Sequence, residues 1–135
     1  MAASVIVDAG FIVALLSRRD GHHAWAAATA AKFPPPWQTC ESVISEAVHL
    51  LGPRGRLPLH ALLRRQALLP AFDLSRNLEA VLRLMEKYGD VPMSVADGCL
   101  VRMTETAPEP VLLTTDTDFR IYRRHSRQVI PCVRP

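Results

Sequence analysis

Several things that would announce a function are scarce in this 135-residue chain. Its three cysteines, Cys40, Cys99 and Cys132, are widely spaced and form no Cys-x-x-Cys pair, which argues against a zinc knuckle or a dithiol redox motif. They read as small apolar side chains for a core. Histidines spell no His-Glu-x-x-His, and His22-His23 are adjacent, as surface or loop residues would be. No serine or cysteine nucleophile with a paired histidine stands out. No apolar run is long enough to cross a bilayer, and no basic stretch leads into an apolar signal core, so a cytoplasmic protein without membrane contact is expected. Lysine is almost missing: Lys32 and Lys87 stand alone, and the net charge of +3 is carried by arginine. Arginine suits bidentate phosphate contacts, but so modest a charge fits an acidic protein partner equally well. There is no internal repeat, low-complexity tract or linker.

What is present is ordinary globular composition, 49% apolar and 21% charged, at a length that suits one domain over residues 1–135. Ser4 to Val7 reads as a buried parallel strand ending at Asp8. Helical stretches follow at Gly10 to Ser17 and His22 to Lys32, then a short strand at Trp37 to Thr39. A helix opening at Thr39 or Ser42 should close at Gly52-Pro53. Further helix is expected from Leu57 to Leu69, and a third strand at Ala71 to Leu74. Ser75 is expected to cap a helix from Leu78 to Tyr88, and Ser94 one running to about Glu105. Val111 to Thr114 is a clear strand, followed by a helical piece at Phe119 to Arg124 and a last strand at Gln128 to Ile130. This alternation implies an α/β fold with a mainly parallel central sheet of four or five strands flanked by helices.

Ligands of such sheets bind beyond the carboxyl ends of the strands, and that edge gives the acids their interest. Asp8 and Asp116 directly follow apolar strands. Glu46 and Asp97 lie early in helices that follow strands, so all four are candidates to converge. Hard divalent cations prefer carboxylate and water ligands, which makes the set a candidate metal site. Each acid also has a plainer reading. Ser94-Val95-Ala96-Asp97 fits a capping box. Glu46 sits beside Val43 and Leu50, where a solvated flank is usual. Asp8, and Asp116 with Asp118, are placed to cap helices.

The segments Val5-Ile6-Val7-Asp8 with Val13-Ala14-Leu15-Leu16, Ser45-Glu46-Ala47-Val48, Met93-Ser94-Val95-Ala96-Asp97, and Leu113-Thr114-Thr115-Asp116 with Asp118-Phe119 occur in one order along the whole chain. In these segments the sequence resembles PIN-domain ribonucleases, particularly the VapC-type toxins of toxin–antitoxin pairs. The resemblance implies a single PIN-like domain in which Asp8, Glu46, Asp97 and Asp116 bind Mg²⁺ or Mn²⁺ and catalyse endonucleolytic RNA hydrolysis by activated water. It also implies a cognate antitoxin and a homodimer. Gly10 departs from the pattern, since the family more often carries Ser or Thr there. Asp90 and Asp118 are additional acids expected near the site, where they would support the ligating carboxylates.

Arg120, Arg123, Arg124 and Arg127 follow the last acid and are candidates to hold the RNA backbone, or else solvated surface residues. Arg18, Arg19, Arg54 and Arg56 are weaker ones. The apolar stretch Leu57 to Leu69 is a candidate for partner contacts as well as for core. The alternative function is a catalytically inactive PIN-like module that binds RNA or protein. A phosphatase suggested by Asp116-x-Asp118 ranks last, because the first strand carries only Asp8.

Overall fold

A computed structural model describes residues 3–135. The chain runs β1 (Ser4–Val7), α1 (Ala9–Leu16), α2 (His23–Lys32), β2 (Trp37–Thr39), α3 (Glu41–Arg64) and β3 (Leu68–Pro70), then α4 (Leu74–Lys87) and α5 (Val95–Thr106). It ends with β4 (Pro110–Leu113), a 3-10 turn over Thr117–Arg120, β5 (Arg123–Arg124), β6 (Gln128–Val129) and β7 (Cys132–Val133). Five strands form one sheet in the order β3-β2-β1-β4-β7, and every neighbouring pair is parallel. The expected α/β class with a parallel central sheet is what the chain adopts.

Burial explains the centre of that sheet. Ile6, Val7, Leu112 and Leu113 are fully enclosed, as both-faced burial of parallel strands requires. Helices α1, α2 and α3 pack together, as do α4 and α5, and α5 also meets β1 and β4. Phe11 stands edge-on to Trp25 and Trp37, joining α1 to α2 and β2, so both tryptophans serve packing.

The order of strands also locates a crevice. From β1 the chain moves to β2 and β3 on one side, then returns to lay β4 on the other side of β1. Such a reversal leaves an opening at the carboxyl ends of the two central strands.

One expected boundary is kept and three are corrected. The first half of helix α3 closes at Gly52-Pro53, as expected. Gly52 takes a left-handed φ of 69°, and Pro53, which lacks an amide to donate, starts a second helical half over residues 53–64. That half ends at Arg64 instead of running to Leu69. Gln66 is left-handed (φ 59°), with Ala67 N–H donating to Leu62 O and Gln66 N–H to Leu63 O. This is a Schellman closure without the glycine that usually signals it. The third strand is therefore Leu68–Pro70, three residues before the Ala71 to Leu74 expected, with Leu68 opposite Trp37. Helix α4 begins a turn early because Asp73, not Ser75, caps it by accepting from Arg76 N–H.

The C-terminal region differs most. Phe119 to Arg124 is not helical throughout: the 3-10 turn gives way to β5, which pairs antiparallel with β6 in a separate hairpin. His125 and Ser126 turn that hairpin with positive φ. Gln128 to Ile130 is thus not the last strand of the main sheet; Cys132–Val133 is, beside β4.

Candidate active site

The crevice between β1 and β4 holds a cleft of about 500 Å³ lined by Asp8, Gly10, Glu46, Leu50, Ser94, Ala96, Asp97, Thr115 and Asp116. The four acids singled out in the sequence therefore face one space, and no Lys, Arg or His is among the lining residues.

Asp8 is the most constrained of them. It follows β1 directly, and its N–H continues the β1–β4 ladder by donating to Leu113 O. Its side chain caps α1 by accepting from Ala9 N–H at 2.7 Å, and its other oxygen accepts from Thr114 Oγ1 at 2.8 Å. Only 7% of the residue is exposed. Burial pushes its carboxyl up to about 6; the hydrogen bonds from Thr114 and Ala9 pull against this, while the charges of Asp97 and Glu46 add to it.

Asp97 makes the anticipated capping box and also lines the cleft. Ser94 and Asp97 form the capping box, with Asp97 N–H donating to Ser94 Oγ at 3.0 Å. The carboxylate reaches back toward Ser94 N–H and also accepts from Tyr122 OH at 2.9 Å. Its pKa is raised, by desolvation first and by the nearby Asp116 charge as well, against the lowering hydrogen bonds of Tyr122 and Ser94. Asp116 donates its N–H to Thr114 Oγ1 and accepts from Asp118 N–H, capping the 3-10 turn. Glu46 reaches the cleft from the exposed flank of α3, one turn before Leu50.

Thr114 thus binds both Asp8 and Asp116, and Tyr122, fully buried, braces Asp97. Neither was singled out in the sequence. The signal for Thr114 was its register: Val7 pairs with Leu113, so the next residues on the two strands, Asp8 and Thr114, are side by side. Tyr122 had no local signal, because its partner lies 25 positions away.

The other candidates fall outside the cleft. Asp118 adjoins Asp116 through the cap just described, whereas Asp90 is exposed in the turn after α4. Arg123 folds its guanidinium onto the carbonyls of Arg120, Ile121 and Tyr122. Arg124 donates to Thr104 O and Gln128 Oε1, tying the hairpin to α5. Arg120 and Arg127 are exposed, and among the described residues their side chains make no hydrogen bond.

As the side chains stand, no three His, Cys, Asp or Glu groups among the described residues are drawn together tightly enough to enclose an ion. A small hydrated cation does not need that. Magnesium keeps several of its waters and is usually held through one or two carboxylates. Four carboxylates around one cleft, with no cationic side chain lining it and two of the acids held above their usual range, are chemically suited to such a guest.

No helix among the described residues is long and apolar enough to cross a membrane. Comparison with curated proteins gives no significant match. The profile of the PIN domain family matches residues 5–124, and by that match, which takes in all four acids of the cleft, the chain belongs to the PIN domain family.

Proposed function

We propose that this protein is a metal-dependent endoribonuclease whose acids Asp8, Glu46, Asp97 and Asp116 bind Mg²⁺ or Mn²⁺. The observation that carries the reading is the electrostatic state of the cleft. Asp8 is buried, held up to about 6, and faced by further acids with no cationic side chain in the lining. A divalent ion relieves that repulsion and favours the ionised carboxylates. When bound, it supplies an acidified water and positive charge opposite the phosphodiester.

The chain's own residues do the rest. Thr114 fixes the orientation of Asp8 and the backbone of Asp116 together, so the two acids keep their spacing. Tyr122 and Ser94 hold Asp97 across the cleft. Glu46, exposed on α3, has the freedom to turn toward the ion or toward solvent.

Within the family, the VapC-type toxin is the reading we favour, with RNA as substrate, a cognate antitoxin as inhibitor and a homodimer as the working assembly. The resemblance in the four acidic segments supports it. The test is cleavage of single-stranded RNA by the purified protein with Mg²⁺ or Mn²⁺, compared with EDTA and with Asp8→Asn. Activity that needs the metal and disappears in the variant supports the reading. Persistence of cleavage in EDTA, or in Asp8→Asn, overturns it.

A further inference from the structure

Gly10 occupies the second position of α1, and its φ is not in the left-handed region, so the backbone does not ask for glycine. Glycine is also among the poorest helix formers. The reason lies beside it in the cleft lining. A Cβ placed at Gly10 would stand 2.0 Å from Thr115 Oγ1 and 3.2 Å from Thr115 Cβ, closer than packing allows. The missing side chain at position 10 makes room for the hydroxyl of Thr115.

That hydroxyl differs from its neighbours. Thr114 Oγ1 is fully engaged, donating to Asp8 and accepting from Asp116 N–H. Ser94 Oγ accepts from Asp97 N–H as a helix cap. Thr115 lines the cleft yet makes no hydrogen bond to the described residues. Among the described residues that line the cleft, only Ser94 and Thr115 carry a neutral side-chain donor, and none is cationic. An anion entering among four carboxylates needs donors as well as a counter-ion, and Thr115 presents one beside Asp116.

Building on the nuclease reading above, we infer that Thr115 is a substrate-contacting residue, its hydroxyl donating to a phosphate oxygen of the RNA backbone, and that Gly10 is glycine to admit it. One neutral donor to a charged oxygen is worth about tenfold in binding. Steady-state cleavage of a short single-stranded RNA with Mn²⁺ tests this, alongside calorimetric Mn²⁺ binding without RNA and a thermal melt for each variant. Thr115→Val should raise KM about tenfold, with kcat within about twofold and Mn²⁺ affinity unchanged. Thr115→Ser, which restores the hydroxyl, should return KM toward wild type. Gly10→Ser should raise KM by displacing Thr115, and adding Thr115→Ala to it should bring KM down again by seating the serine hydroxyl in the space that Thr115 Oγ1 leaves. If Thr115→Val melts early, Thr115→Ala serves the same comparison with Thr115→Ser. An unchanged KM in an active Thr115→Val protein overturns the inference, as does weakened Mn²⁺ binding, which would assign the hydroxyl to the ion instead. A wild-type protein that cleaves no RNA overturns the underlying nuclease reading, and is distinguished by failing before any variant is compared.

Discussion

Two clefts open near the carboxyl edge of the sheet, and the larger is not the one with the unusual chemistry. The space beyond β2 and β3 measures about 630 Å³ and is lined by Cys40, Glu41, Ser42, Phe72, Asp73 and others. It too contains acids at helix starts. Asp73, however, is satisfied where it stands: it accepts from Ser75 Oγ and Arg76 N–H, lies beside the Arg76 guanidinium, and is held below its usual range chiefly by the Ser75 hydrogen bond. Asp8, in the smaller cleft beyond β1 and β4, is buried, faces other carboxylates and is held high. Volume therefore says little about function here. What separates the two is whether each acid has already found what its charge requires.

The comparison breaks most readily in catalysis. Asp8→Asn and Asp97→Asn are each expected to lower metal-dependent RNA cleavage by about 100-fold or more, while Asp73→Asn leaves it within about twofold. Comparable losses in all three would show that the two clefts act together. Next comes the response to metal: millimolar Mn²⁺ should raise the melting temperature of the wild type by several degrees and that of Asp8→Asn by much less, read by differential scanning fluorimetry.

Stability without metal sharpens the same contrast. The carboxyl of Asp8 is raised in the folded state, so its contribution is fully present below the unfolded value near 3.8 and is lost as pH rises through about 6. Asp8→Asn removes the buried charge and should stabilise the metal-free protein at pH 7.5, on the order of 1–2 kcal/mol, since asparagine retains only part of the hydrogen bonding to Ala9 and Thr114. The gap between variant and wild type should close at pH 4. Asp73→Ala should move the other way, lowering the melting temperature by removing a helix cap. Urea melts at the two pH values read both effects, and a destabilised Asp8→Asn at pH 7.5 would contradict the buried-charge account.

The smallest expected effect belongs to Tyr122. Its hydroxyl bond lowers the pKa of Asp97, so Tyr122→Phe should let that acid hold its proton more tightly. Mn²⁺ affinity should fall a fewfold at pH 6 and hardly at all at pH 8, because protons compete with the ion only in the acidic range.

Much of this was legible in the residues alone, and the pattern of success is physical. Asp8 was readable because it directly follows an apolar strand, and Asp116 because it lies three residues beyond one, in the turn that a parallel strand opens at the ligand-binding edge. Ser94 and Asp97 were readable because a capping box is local. The closure of α3 was not: Gln66 takes the left-handed turn that glycine normally marks, so the strand after it appeared three residues too late. The C-terminal hairpin was hidden because two-residue strands carry too few side chains for a period to show. Glu46 and Asp90 show the limit from the other side. Both are exposed acids near helix ends, and only the folding of α3 over the edge brings one of them, and not the other, to the cleft.

The position of β1 has a consequence for the order in which the molecule comes into being. It is made well before one of its two partners, β4, which follows after α5. Until Leu113 has been made, one edge of β1 has no strand to pair with, and Thr114 is not there to orient Asp8. Closing so long a loop is slow, and the contacts that repay it come only at the end. During vectorial synthesis Asp8 waits for Thr114 and Asp116, so the cleft cannot be completed before the segment that carries them has been made.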